Sequence, residues 1–177
     1  MTQKLIGDHP VARIMFDGIF DWDEVYEFIV GWFKHRRYFF EEKDYKYKIP
    51  SPAGPEEEFK WNGWRNITDY YRYSVDLQMK TYGIKKIEIV DKGKKRTMYK
   101  GKFILEFRGT VITDYQGRFT GSAFLESLKQ FLDRFIFNRQ MENIWSDRLY
   151  YVILKFHARI KEYLDMESKG HAYEDVW

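Results

Sequence analysis

Tyr70-Tyr71-Arg72-Tyr73-Ser74-Val75-Asp76-Leu77-Gln78-Met79-Lys80 is the stretch that decides the fold. Tyr71, Tyr73, Val75, Leu77 and Met79 alternate with Arg72, Ser74, Asp76, Gln78 and Lys80. Successive side chains of a strand point to opposite faces, so this strict alternation predicts an antiparallel strand with one buried and one wet side. The same period returns downstream, where Phe103, Leu105, Phe107, Val111 and Thr113 share one side and Ile104, Glu106, Arg108, Thr110 and Ile112 the other. Gly109 interrupts that run, and a mid-strand glycine predicts a bulge or bend, hence a curved sheet. Between the two runs, Gly83 predicts a strand end, Ile87 and Ile89 a further strand, and Asp91-Lys92-Gly93-Lys94 a turn.

Working outward, Lys43 to Ile49 reads as a strand with Tyr45, Tyr47 and Ile49 on one side. Three of the four prolines lie in Pro50-Ser51-Pro52-Ala53-Gly54-Pro55, which predicts a rigid surface excursion before strand character resumes at Glu58 to Arg65. Val11 to Phe16 reads as a short strand closed by a turn at Asp17-Gly18. Asp21-Trp22-Asp23-Glu24 then announces a helix: Asp21 can cap the first turn and Glu24 can reach back to the cap. Val25, Phe28, Ile29, Trp32 and Phe33 follow at helical spacing, and His35, Arg36 and Arg37 suit a last turn, where cations complement the dipole.

Beyond the strands the period changes to that of a helix. Phe124, Leu125, Leu128, Phe131, Leu132, Phe135 and Ile136 form one stripe behind a capping Ser122, and Trp145, Leu149, Val152, Phe156, Ile160, Tyr163 and Leu164 form another. No proline separates them, so residues 138–146 hold either a kink or a loop. Together these elements predict one α+β domain over residues 1–167, followed by a polar tail at 168–177. Its core is a curved antiparallel sheet of five to six strands, with an N-terminal amphipathic helix and a long or kinked C-terminal helical segment on one face. The element order resembles the helix-grip architecture, in which a sheet wraps a long helix. That resemblance implies an alternative role, an apolar-ligand carrier with Phe103, Leu105, Phe107, Trp145, Leu149 and Val152 lining a pocket.

Composition narrows the chemistry. The 177 residues include no cysteine, which excludes disulfide-stapled folds and thiolate metal sites, and the 35 aromatics exclude disorder. No run of 18 uncharged apolar residues occurs and residues 1–10 carry no apolar signal segment, so no membrane span and a cytoplasmic location are expected. His9, His35, His157 and His171 lack the i, i+4 spacing of a helical metal pair, and His157 reads as a partly buried, hydrogen-bonded side chain. Neither a nucleophile elbow nor a phosphate-binding glycine loop is present, so neither enzymatic activity nor a cofactor is expected. Asp17, Asp21, Asp23 and Glu24 lack the central glycine of a calcium loop. Glu41-Glu42 and Glu56-Glu57-Glu58 read as solvated strand edges.

One charge feature remains. Residues 85–102 hold eight basic residues, Lys85, Lys86, Lys92, Lys94, Lys95, Arg96, Lys100 and Lys102, against Glu88 and Asp91, a local charge of +6 in a chain whose net charge is +3. A concentrated basic hairpin is the footprint of a binding module that docks on an anionic partner, an RNA, a ribonucleoprotein or an acidic protein. Edge lysines that block strand-to-strand aggregation give the same pattern. Tyr70, Arg72 and Arg108 are the sheet residues placed to add stacking contacts. Trp22, Tyr26 and Val30 on the first helix would serve a third role, a homo-oligomer or other structural assembly.

Overall fold

Tyr71, Tyr73, Val75, Leu77 and Met79 are each 5% exposed or less, all on one side of the strand that the alternation predicts. That strand, β5 (Tyr71–Asp91), is the centre of the sheet in a computed structural model that describes residues 2–6, 9–51, 54–91, 94–119, 122–132 and 141–166. On one flank it pairs with β4 (Gly54–Asn66), which pairs with β3 (Phe39–Ser51) at the edge. On the other flank it pairs with β6 (Lys94–Thr113). Two strands then share the far edge of β6: β1 (Thr2–Leu5) lies opposite Thr113 to Thr110, and β2 (Ala12–Phe20) opposite Phe107 to Tyr99. All pairings are antiparallel, and the six strands occupy five ranks of an open sheet.

Among the described residues three α-helices accompany the sheet: α1 (Trp22–His35), α2 (Ala123–Leu132) and α3 (Asp147–Tyr163). Residues 141–146 are helical, a π-type turn that runs directly into α3, while 138–140 lie outside the described residues, as do Phe135, Ile136 and the tail at 168–177. Val25, Ile29 and Phe33 of α1 and Leu149, Ile153, Phe156 and Ile160 of α3 are buried in one core with Tyr71, Tyr73, Val75, Leu77 and Met79 of β5 and Phe103, Leu105, Phe107 and Val111 of β6. Phe156 joins the layers. Its ring stacks on Trp32 at 3.8 Å and stands edge-on to Phe33 at 5.5 Å and Phe107 at 5.6 Å. His157, beside it, is half-buried with Nε2 3.3 Å from the Arg13 carbonyl, and burial lowers its pKa.

Several local expectations change in three dimensions, each for a physical reason. Gly109 is not a bulge: it pairs in register with Val75, and a Cβ there would lie 2.6 Å from Ile153 Cδ1. Its lack of a side chain admits α3. Gly83 does not end β5; with φ 59° it sits in the register shift between Tyr82 and Lys85, a conformation glycine adopts without steric cost. The short strand does not turn at Asp17-Gly18 but runs on to Phe20, because β6 supplies partners throughout, with Gly18 opposite Gly101. Pro50 does not break β3, since it lies in the irregular stretch between the Lys48 and Ser51 pairings on an edge strand, where no ladder hydrogen bond is lost.

At the head of α1, Asp21 Oδ1 accepts hydrogen bonds from the backbone N–H of Asp23 at 3.0 Å and of Glu24 at 3.2 Å, as its position predicts. Glu24 does not reach back to the cap. Its carboxylate accepts from Tyr163 Oη at 2.9 Å and binds Arg96. At the other end, His35 closes the helix, so Arg36 and Arg37 fall beyond it, and the Arg36 guanidinium lies 4.8 Å from the Trp32 ring centroid.

Gly63 lets α1 reach the sheet. A Cβ at this position would sit 2.1 Å from Phe33 Cε1, and the Phe33 ring is fully buried with no room to retreat. Gly63→Ala is therefore expected to lower stability by about 1–3 kcal/mol, the range for overpacking a filled core. Urea titration checks this; a variant with the parental midpoint contradicts the packing described.

Candidate functional site

The ends of the flanking strands define the site. β4 stops pairing with β5 at Tyr82, and β2 stops pairing with β6 at Tyr99. Past those points β5 and β6 continue alone for five pairs, from Ile87 opposite Met98 to Asp91 opposite Lys94. At strand spacing this two-stranded ribbon extends about 17 Å beyond the sheet. The Tyr82–Lys85 bulge sits at its root, where the absence of a Cβ on Gly101 lets the Ile84 backbone pass: a Cβ there would lie 3.0 Å from Ile84 Cα. Ile87, Ile89 and Met98 share one face of the ribbon and are half-buried.

The eight basic residues do not form one uniform cluster. Lys85 and Lys100 stand directly opposite each other, and Lys86 opposite Tyr99; all three are exposed and make no ion pair among the described residues. Like charges directly across a strand pair repel, so this arrangement costs the isolated fold free energy. Lys95 is exposed with Nζ 3.8 Å from the Glu88 carboxylate, itself exposed. Such a surface pair contributes little and leaves the charge open to competition. Arg96 is different: its guanidinium lies 3.4 Å from Asp21 Oδ2 and binds Glu24, tying the ribbon to the head of α1. The Tyr163 hydroxyl and Arg96 together lower the Glu24 pKa, while burial and Glu24 push the Tyr163 phenol up to about 12. Lys102, half-buried, is flanked by Tyr82 and Asp17. Lys94 pairs with Asp91 at the end of the ribbon, with its side chain outside the described residues, and Lys92 lies wholly outside them.

Tyr70, Arg72 and Arg108 are not gathered with the ribbon. Arg72 is enclosed by Trp64 at 4.2 Å and Tyr115 at 4.3 Å, and its Nε donates to Asn66 Oδ1 at 2.7 Å, so both guanidinium faces are occupied. Tyr70 is half-buried against Tyr71 and Phe119. Arg108 is exposed, 3.8 Å from Glu106, but eight positions along β6 from Lys100, about 27 Å at strand spacing. A stacking platform continuous with the basic ribbon is therefore not assembled.

The pocket implied by the helix-grip order is filled by side chains. Phe103, Leu105, Phe107 and Leu149 are 0% exposed within the shared core. Trp145 stacks on Tyr71 at 4.9 Å, and Val152 is half-buried on α3. Of the α1 residues considered for assembly, Trp22, Tyr26 and Val30 are each half-buried, with Trp22 4.8 Å from Phe59 and Tyr26 6.0 Å from Trp61.

No helix among the described residues is long and apolar enough to cross a membrane, and no group of three or more His, Asp or Glu side chains among them converges to hold a metal ion. Sequence reasoning finds the basic residues but misses Glu57. Counting alternate positions from Phe59 and Trp61 places Glu57 on their face, the face that the helices cover, and not with the solvated edge. No protein-family model matches the chain, and no curated protein matches it in sequence.

Proposed function

We propose that the chain is a non-enzymatic, cytoplasmic binding module that docks the β5–β6 ribbon on an anionic partner, an RNA backbone bare or within a ribonucleoprotein, or an acidic protein surface. The observation that carries the reading is the Lys85–Lys100 opposition, two exposed cations on one face of the ribbon root without carboxylate partners among the described residues, with a third exposed cation, Lys86, on the reverse face. A protein that needed only a blunted edge could alternate signs there, as Lys95 and Glu88 do further along. An anion seated between the two strands relieves the repulsion that the fold leaves in place.

The test is fluorescence anisotropy with a labelled single-stranded RNA and, separately, a labelled poly-glutamate peptide. Two contacts on single-stranded RNA, from Lys85 and Lys100, give a slope of log affinity against log salt near about −1.4, at about 0.7 per phosphate neutralised. Affinity should then fall roughly sevenfold between about 50 and about 200 mM salt. Preference for the peptide selects the acidic-protein form; binding of neither probe at about 50 mM salt refutes the reading.

A further inference from the structure

On the helix-bearing face, past the head of α1, the sheet is left partly uncovered. A groove opens there, lined by Trp22, Glu57, Phe59, Thr81, Ile84 and Tyr99. Its walls are aromatic. The Trp22 and Phe59 rings lie 4.8 Å apart, tilted by 45°, and Tyr45, 55% exposed, extends the wall with its ring 4.9 Å from Phe59. The glycines at the ribbon root shape the floor, since the Gly83 bulge carries Ile84 over Gly101.

Two polar groups in this aromatic setting have no partner of their own. Glu56 and Glu58 turn to the opposite face, opposite Lys48 and Lys46 in β3, and Glu58 lies 3.4 Å from Lys60. Glu57 faces the groove and makes no ion pair or hydrogen bond among the described residues. Burial alone raises its pKa. Beside it, directly across the strand pair, is Thr81, 1% exposed, whose hydroxyl finds no hydrogen-bond partner. A buried hydroxyl without a partner carries a desolvation cost that a native structure rarely leaves unmet. The Tyr45 phenol is raised by burial and then by the charge of Glu57.

We infer that this groove binds a protonated organic amine with an aromatic or alkyl body, its N–H donors shared between the Glu57 carboxylate and the Thr81 hydroxyl and its charge held against the rings of Trp22 and Phe59. Aromatic faces attract cations most where water is excluded, and a carboxylate selects a cation over a neutral body of the same shape. The positive end of α1 does not oppose this, because Asp21 already caps it. The site is independent of the basic ribbon and takes a ligand of opposite charge.

Calorimetric titration of the full chain with benzylammonium, benzyltrimethylammonium and benzyl alcohol tests the assignment. Benzylammonium should saturate the protein at millimolar concentration or below, with benzyl alcohol at least about tenfold weaker, the scale of one charged hydrogen bond. Benzyltrimethylammonium, which has no N–H, should also be weaker. Glu57→Gln should remove the advantage of cation over alcohol, and Thr81→Val should narrow the gap between the two cations. Both variants remove groups that are buried or half-buried without partners, so each should keep or raise the parental melting temperature. Equal binding of benzylammonium and benzyl alcohol, a cation preference that survives Glu57→Gln, or no saturation by benzylammonium overturns the inference.

Discussion

Phe156→Ala is expected to lower the stability of the chain by about 3–5 kcal/mol, the cost of deleting a fully buried ring where neighbours cannot collapse. The site is rigid for a definite reason. Phe156 is 0% exposed and its ring meets Trp32 and Phe33 of α1 and Phe107 of β6, so truncation opens a cavity bounded by three other rings on two elements. Those rings are held in turn: Phe33 by the sheet at Gly63, and Phe107 by its place opposite Leu77. Phe156→Leu, which keeps most of the volume, should cost clearly less. Denaturant unfolding of both variants checks the ranking; equal midpoints for Ala and Leu would mean that α3 does not hold α1 to the sheet.

Lys85→Glu combined with Lys100→Glu is expected to reduce affinity for single-stranded RNA roughly 100-fold at low salt. Each exposed charge–phosphate contact is worth about 1 kcal/mol at 4 Å in water. Reversal removes two attractions and adds two repulsions, and partial screening leaves about 2–3 kcal/mol of that change. The fold should not suffer, since the two residues are exposed and a Glu pair repels across the ribbon as the Lys pair does. Replacing Arg96 separates the two kinds of basic residue. Arg96→Gln removes a guanidinium held by Asp21 and Glu24, so it should loosen the ribbon and leave RNA affinity changed by less than about threefold, that is by under about 0.7 kcal/mol.

The fold was legible wherever one residue property maps onto one structural property. Alternation at residues 71–79 needed no tertiary knowledge to name the buried side, and the stripe at 25–33 contains the three buried residues of α1. The stripe at 149–160 named Val152 in place of the buried Ile153, and the stripe from Phe124 buries none of the described residues of α2, where Phe124 and Phe131 are exposed. Glycine was harder because two different needs call for it. Gly83 supplies a positive φ, while Gly109 supplies only the absence of a Cβ beneath Ile153, and the sequence presents them alike. The basic cluster was visible as composition, but its division was not. Whether a cation is neutralised depends on register and on distant segments, as with Arg96 and the carboxylate of Glu24 across 72 positions of chain. Glu57 was obscured by its like-charged neighbours, although strand parity alone assigns it to the aromatic face.

Capture from native extract on the immobilised chain, with and without prior nuclease treatment, tests the ribbon's role most directly. The account predicts that the parental chain retains a nuclease-sensitive or acidic-protein partner that is lost with Lys85→Glu and Lys100→Glu together. Identical retention by the parental and charge-reversed chains, whatever the nuclease treatment, would contradict it.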